Sequence, residues 1–238
     1  GDTASIGMGQ FVHLIRRNLN MTYIVANNGC YGLTKGQDSA TADLGSLSKA
    51  GQANPFDAID LASLALLQGA SFVARSFSGD KEQLVPLIQA AMAHNGFAFI
   101  DVVSPCVTFN NHAGSTKSYS QTRNHVEPMP LDFIPMREEI LTQYDPGTTQ
   151  EVILHDGSVI RLQKADADYD VSDNLSALRA VQEAEAEHRV LTGLLYLNPQ
   201  SQDLGATLKI APRPLNTLTE NELCPGSRVL QSINEGLR

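Results

Sequence analysis

Two adjacent asparagines, Asn27 and Asn28, follow a short apolar run over residues 21–26 and open a loop with glycines at positions 29, 32 and 36. Carboxamide and carbonyl oxygens are ligands that suit Mg²⁺, and protein-bound Mg²⁺ usually shares its site with phosphate. Glycine lets the backbone approach a diphosphate closely and adopt positive φ angles. These residue types predict a site for Mg²⁺ and a diphosphate. The alternative is a glycine-rich turn in which asparagine adopts the left-handed conformation and binds nothing.

The segments around this loop alternate between helix and strand patterns. Apolar spacing and turn residues predict helices over residues 6–18, 58–68 and 80–94, and strands over residues 21–26, 71–77 and 97–103. This alternation is typical of βαβ units, which form a parallel sheet with helices on both faces. Ligands of open α/β sheets bind beyond the carboxyl ends of the strands. We therefore expect Asn28 at the ligand-binding end of the sheet.

Single residues mark the ends of two predicted helices. Asp80 has the position and side chain of an N-cap, and Gly96 fits the C′ position after the same helix. Gly69 is expected to end the helix over residues 58–68. Residues 38–55 are rich in Ser, Gly, Ala and Asp and are predicted to form a loop.

The second half of the chain has a different character, because prolines become frequent after residue 120. Residues 151–164 form two alternating runs around Asp156 and Gly157, which is a strong hairpin signal. Residues 175–188 have the spacing of an amphipathic helix. We expect an α/β core over residues 1–119 and a C-terminal extension over residues 120–238, with a β-hairpin and a helix, packed on that core.

Composition excludes several classes of protein. The chain has 238 residues, 42% of them hydrophobic, and a net charge of −9, which argues against a nucleic-acid partner. No apolar run approaches the length needed to cross a bilayer, so no membrane association is expected. Three cysteines at wide spacing argue against a disulfide framework, and the expected location is the cytoplasm.

The start of the chain resembles a known cofactor motif. Thiamine diphosphate enzymes carry a GDG motif followed at a set distance by NN, and the Asp and the second Asn bind the Mg²⁺ that holds the cofactor's diphosphate. If Gly1 is the last glycine of GDG, the intervening residues are 2–26, which fits that distance. If residues 1–3 are a GDT variant, the interval is 4–26 and slightly short. The first alignment places the metal-binding Asp before Gly1, so the chain looks truncated at its N-terminus.

Four sequence stretches extend the resemblance from the cofactor motif to one particular family. They are IGMGQFVHLIRRN, NNGCYGLTKGQ, SPCVTFNNH and HDGSVIRL, in that order. Together they closely resemble the beta subunit of 2-oxoacid:ferredoxin oxidoreductases, the 2-oxoglutarate type in particular. The resemblance implies a thiamine diphosphate-binding, Rossmann-like α/β fold. It also implies oxidative decarboxylation of a 2-oxoacid to acyl-CoA and CO₂, with electrons passed to ferredoxin.

The same resemblance assigns roles to individual residues. Asn28 would bind Mg²⁺ through its side chain and Cys30 through its main-chain carbonyl. Further residues are implied to line the cofactor pocket and its diphosphate loop: Asp2, Ile6, Gly7, Tyr31, Gly32, Thr34 and Gln37.

The family also implies an iron–sulfur centre and further subunits. Cys106 would be the fourth ligand of a [4Fe–4S] cluster, whose other cysteines lie upstream of the GDG motif and are absent from this sequence. The implied partners are an alpha subunit that binds the cofactor's pyrimidine, and ferredoxin. Two alternatives remain: a thiamine diphosphate enzyme without ferredoxin coupling, and a truncated module without catalytic activity.

Overall fold

A computed structural model of the protein describes residues 1–34, 36–46, 53–104, 140–153, 159–211, 213–224 and 226–237. The longer helices that precede residue 204 are α1 (Met8–Arg17), α2 (Leu61–Leu67), α3 (Lys81–Ala93) and α4 (Asn174–Ala186). A short π-helix, Asp2–Ile6, precedes α1. The strands are β1 (Met21–Asn27), β2 (Cys30–Tyr31), β3 (Gln37–Asp38), β4 (Phe72–Phe77), β5 (Phe97–Val103), β6 (Thr149–Ile153), β7 (Val159–Lys164) and β8 (Val190–Leu197).

Six of the described strands form one sheet, in the order β1-β5-β4-β8-β7-β6. The first three run parallel, with Tyr23 opposite Phe99 and Val73 opposite the same residue on the other side. Every residue of β4 and nearly every residue of β5 is buried. Such continuous burial is characteristic of parallel strands covered on both faces, and the observed pairing confirms the predicted parallel arrangement of these three strands.

The remaining three strands include antiparallel pairs, so the sheet as a whole is mixed. β8, which the sequence patterns did not identify as a strand, pairs antiparallel with β4 and places Gly193 opposite Arg75. β7 runs parallel to β8, and β6 pairs antiparallel with β7 as the hairpin prediction required. The turn of that hairpin, residues 154–158, lies outside the described residues.

Helices cover both faces of the sheet, as predicted. On one face α1, α2 and α4 pack on the sheet around Phe11, Phe97 and Phe99. On the other face Leu87 and Ala91 of α3 belong to a second apolar cluster with residues of β4 and β5. The α/β fold class is thereby confirmed.

Helix boundaries differ from the sequence prediction where local hydrogen bonds decide them. α2 begins at Leu61 rather than residue 58, because the Asp60 side chain accepts a hydrogen bond from the Ser63 N–H and caps the helix. The predicted N-cap Asp80 is confirmed, since it accepts from the Gln83 N–H. Gly96 is not the C′ residue; α3 ends at Ala93 with His94 as its C-cap.

The chain divides into two compact units, residues 1–204 and 205–238. The first unit contains the sheet and helices α1 to α4. In the second half of the chain the sequence patterns identified neither helix α5 (Leu204–Thr207), nor a 3₁₀ turn (Leu215–Thr217), nor helices α6 (Glu220–Leu223) and α7 (Ser227–Gly236). The predicted domain boundary at residue 119 falls among residues 105–139, outside the described residues, and stays a prediction. Among the described helices, none is long and apolar enough to cross a membrane.

Candidate functional site

Asn28 directly follows the carboxyl end of β1, as predicted. Its Oδ1 atom accepts a hydrogen bond from the backbone N–H of Cys30 over 3.1 Å, which closes a tight Asx turn. A carboxamide oxygen has two lone pairs, so Oδ1 keeps one for a further partner. The Asx turn therefore fixes the side chain while leaving it able to bind a cation.

The loop after Asn28 is a small folded unit. β2 and β3 pair antiparallel, with Cys30 opposite Asp38 and Tyr31 opposite Gln37. Gly29 has φ +69° and Gly36 has φ +93°, in the region that favours glycine. These two glycines allow the chain to reverse tightly within this loop, next to Asn28.

Two predicted cofactor-binding side chains meet within this loop. The Thr34 hydroxyl donates to the Gln37 side chain, and both residues are exposed. Gly32 is also exposed, and a Cβ atom there would meet nothing within 4 Å. Together these residues form an open polar rim. Lys35 lies outside the described residues.

The N-terminal segment lies against the same loop. A Cβ atom on Gly1 would lie 2.4 Å from Cδ1 of Tyr31, so the first residue packs directly on this ring. The hydroxyl of Thr3 is 3.0 Å from the hydroxyl of Tyr23 on β1. Asp2, which belongs to the short π-helix, is exposed. The structure thus brings Gly1 against the loop after β1 and Thr3 against β1 itself.

The π-helix leads directly into the start of α1. Ile6 is 76% exposed, and Gly7 is the N-cap of α1. Gly7 provides no side-chain cap, and the first turn of α1 contains no acidic residue. The first N–H groups of a helix carry partial positive charge and favour anions when no side chain caps them.

Another asparagine, Asn54, stabilises the chain segment that packs against this loop. The buried Asn54 side chain donates to the carbonyl oxygens of Ala42, Asp43 and Phe56, at 2.9, 3.2 and 2.9 Å. Ala42 lies under Gly29, where a Cβ atom would be 3.6 Å from the Ala42 Cα. The sequence reasoning missed Asn54, because a lone asparagine in a loop has no pattern that reveals a buried hydrogen-bonding role.

A buried charge network lies at the same end of the sheet. Arg75 on β4 donates from Nε to Oδ2 of Asp101 on β5 over 2.9 Å and also pairs with Asp60 at the start of α2. Burial disfavours the charged form of Arg75 and tends to lower its pKa. The two carboxylates stabilise the charged form by more than this and raise the pKa. The sequence reasoning missed this network too, since its three members are far apart in the chain.

The pKa values of the two carboxylates in this network shift in opposite directions. Burial tends to raise the pKa of Asp60, but the charge of Arg75 and the hydrogen bonds of Arg75 and Ser63 outweigh it and lower the pKa. For Asp101 burial dominates and raises the pKa, against the opposing effects of Arg75 and Asn27. Asp101 is the more deeply buried of the two, with a side chain 1% exposed against 22% for Asp60.

The described residues suit a metal-bound diphosphate. Asn28 offers a fixed oxygen with a spare lone pair, and the rim of Gly32, Thr34 and Gln37 is open to an incoming group. The uncapped start of α1 adds N–H groups of the right polarity. Cys106, the predicted cluster ligand, lies outside the described residues.

Comparison with known proteins agrees with this geometry. Residues 1–102 match the family described as thiamine pyrophosphate enzyme, C-terminal TPP binding domain. The chain is 44% identical over 124 residues to the 2-oxoacid:ferredoxin oxidoreductase subunit beta of Saccharolobus solfataricus, covering 52% of this chain and 40% of that protein. It is 38% identical over 153 residues to the 2-oxoglutarate synthase subunit KorB of Archaeoglobus fulgidus, covering 60% of this chain and 57% of that protein.

A solved structure is also similar. It is described as 2-oxoglutarate:ferredoxin oxidoreductase from Magnetococcus marinus with 2-oxoglutarate, coenzyme A and succinyl-CoA bound. The TM-score is 0.64 at 26% identity, with 94% of this chain and 63% of that chain covered. The matched segments cover 40% and 57% of the lengths of the two curated relatives named above, less than two thirds in each case. Residues 1–102 therefore match the TPP-binding domain family of thiamine pyrophosphate enzymes, and about half of the chain is similar to beta subunits of 2-oxoacid:ferredoxin oxidoreductases.

Proposed function

We propose that the chain is the diphosphate-binding part of the beta subunit of a thiamine diphosphate-dependent 2-oxoacid:ferredoxin oxidoreductase. The observation that carries the proposal is the position of Asn28, at the carboxyl end of a parallel strand and facing a glycine loop against which the N-terminal segment packs. The relatives supply the reaction class. 2-Oxoglutarate is the proposed substrate, because the similar solved structure has it bound together with coenzyme A.

When bound, thiamine diphosphate would supply the carbanion chemistry of decarboxylation, and this chain would bind and orient it. Asn28 would hold Mg²⁺ through Oδ1, and Cys30 would add its main-chain carbonyl. Thr34 and Gln37 would lie along the diphosphate, where the side-chain N–H groups of Gln37 could donate to it, while Tyr31 would form a wall of the pocket. Mg²⁺ prefers such oxygen ligands together with cofactor phosphates.

The N-terminal segment would complete the pocket. Asp2 and Ile6 lie on the short π-helix, and Gly7 is the N-cap of α1. Because Gly7 has no side chain to cap the helix, an anion would be able to bind at the first turn of α1. The N–H of Gly7 itself donates to the carbonyl oxygen of Asp2, so the following N–H groups in the first turn of α1 would neutralise charge on the diphosphate.

The complete enzyme requires other components. An alpha subunit would bind the pyrimidine half of the cofactor, and ferredoxin would accept the electrons one at a time. Cys106 would ligate a [4Fe–4S] cluster together with cysteines that this sequence does not contain, since such a cluster normally takes four thiolates. The proposed compartment is the cytoplasm, where thiols stay reduced.

The test is an assay of the complete beta subunit with its alpha subunit. We expect 2-oxoglutarate and coenzyme A to give CO₂, succinyl-CoA and reduced ferredoxin, with activity that depends on thiamine diphosphate and Mg²⁺. Pyruvate in parallel reactions identifies the preferred acid. CO₂ release without ferredoxin reduction, from protein that contains no iron, would instead indicate a simple decarboxylase. Failure to bind thiamine diphosphate would overturn the proposal altogether.

A further inference from the structure

Asp101 lies on β5 beside the strand that ends in the asparagine pair. It is 1% exposed and stands opposite Val25 on β1. Residues two apart on a strand point to the same face of a sheet, so Asn27 shares the face of Val25. Asn27 is paired with Val103, two residues beyond Asp101. Asp101 and Asn27 are thus diagonal neighbours on one face of two adjacent strands.

The two oxygens of the Asp101 carboxylate differ in their partners. Oδ2 accepts the 2.9 Å hydrogen bond from Nε of Arg75. Oδ1 is buried and has no hydrogen-bond partner of standard geometry among the described residues. An unsatisfied buried acceptor is costly, and a charged one more so. Asn27 is the diagonal neighbour of Asp101 on this face, and hydrogen bonding by its side chain opposes the rise that burial causes in the pKa of Asp101.

The charges around Arg75 explain why a neutral donor suits this position. Two carboxylates, Asp60 and Asp101, share the single guanidinium of Arg75. At the same end of the sheet Lys164 and Asp80 form an ordinary one-to-one pair at 3.3 Å. The Arg75 network therefore has one negative charge in excess, and an amide donor stabilises it without a further cation.

We propose that Asp101 is a positioning residue of the metal site: Oδ1 of Asp101 holds the Asn27 side chain and so fixes the strand end from which Asn28 binds Mg²⁺. This inference rests on the proposed function. Asp101 does not touch the metal. It acts through Asn27, whose neighbour Asn28 supplies the ligand oxygen.

The experiment measures thiamine diphosphate binding against Mg²⁺ concentration in the complete beta subunit with its alpha subunit. In Asp101→Leu the acceptor is lost, while Arg75 keeps Asp60 as a balanced partner, so the subunit is expected to fold. The Mg²⁺ concentration for half-saturation should rise about tenfold, which corresponds to one hydrogen bond to a charged group. At saturating Mg²⁺ and cofactor, kcat should stay close to the wild-type value.

Asn27→Ala removes the proposed donor to Asp101 but leaves the charges of Asp60, Arg75 and Asp101 in place. It therefore tests the proposal even if Asp101→Leu folds poorly. It should give the same shift, and the double variant should add little to either single change. Asp80→Asn is the matched control: it removes a buried carboxylate charge at the same sheet end, and the Mg²⁺ dependence should not move.

Each result has a definite reading. If the wild-type enzyme binds thiamine diphosphate with Mg²⁺ but Asn27→Ala binds it equally well, the positioning role is wrong and the proposed function stands. Additive effects in the double variant would also overturn the positioning role. If the wild-type enzyme shows no Mg²⁺-dependent binding, both the proposed function and this inference fail.

Discussion

Ser104 donates its backbone N–H to the carbonyl oxygen of Asn27 over 2.8 Å. This hydrogen bond continues the parallel pairing of β1 and β5 by one residue beyond the strand ends. Asn27 precedes the proposed Mg²⁺ ligand, and Ser104 precedes Pro105 and the proposed cluster ligand Cys106. The backbones that lead to the two proposed cofactor sites are therefore joined where both segments leave the sheet.

Asn28→Ala should greatly weaken the binding of thiamine diphosphate in the complete enzyme, because Mg²⁺ requires near-octahedral oxygen coordination. Calorimetric titration with cofactor and Mg²⁺ measures the effect. Asn198→Ala is the matched control, since Asn198 also accepts a local hydrogen bond, from the Gln200 N–H at 3.0 Å. Unchanged affinity in Asn28→Ala would exclude a role for Asn28 in metal binding.

Cys106→Ala should lose the cluster of the complete subunit while the fold survives, because a cluster with three thiolates is incomplete. Iron content and far-ultraviolet circular dichroism measure the two effects. Cys224→Ala changes an exposed cysteine and should keep full iron. Full iron in Cys106→Ala would show that Cys106 is an ordinary thiol.

Arg75→Met should lower the free energy of unfolding by about 3–5 kcal/mol, the usual cost of removing one partner from a buried ion pair. Asp101, 1% exposed, would lose its cation. Urea unfolding measures the change. The control is Arg161→Met, whose exposed pair with Glu151 should contribute less than about 1 kcal/mol. Equal effects of the two variants would show that the Arg75 network does not stabilise the fold.

Stability should also fall in mild acid because of His94. Its Nε2 is 2.8 Å from the Ser71 hydroxyl, and burial lowers its pKa from the ordinary value of 6.5. The folded state therefore prefers the neutral ring. The contribution of His94 to the free energy of unfolding is fully present above pH 6.5, the ordinary pKa of histidine. It is lost as the pH falls through the lowered pKa of His94 in the folded state.

The measurement is the urea midpoint from pH 7.5 to pH 5, compared between the wild type and His94→Gln. Glutamine can keep a hydrogen bond with Ser71 but does not titrate. The decline with falling pH should be shallower in His94→Gln. Parallel declines would mean that other groups cause the pH dependence.

The sequence by itself determined the features that depend on local pattern. The apolar runs that became β1, β4 and β5, and the hairpin of β6 and β7, follow from composition and turn residues alone. So does the N-cap Asp80, because a cap acts within one turn of helix. The position of Asn28 at a carboxyl strand end followed from the alternation of helices and strands.

Only the tertiary structure decided which distant residues meet. β8 pairs with β4 although about half of the chain separates them, and the pattern of β8 alone does not predict which strands lie beside it. Asp60, Arg75 and Asp101 form one charge network because a helix start and two neighbouring strands converge there. Periodicity shows which face of an element is buried, but it does not identify what lies opposite that face. Long-range pairing therefore placed the charge network and its asparagine neighbour beside the proposed metal site.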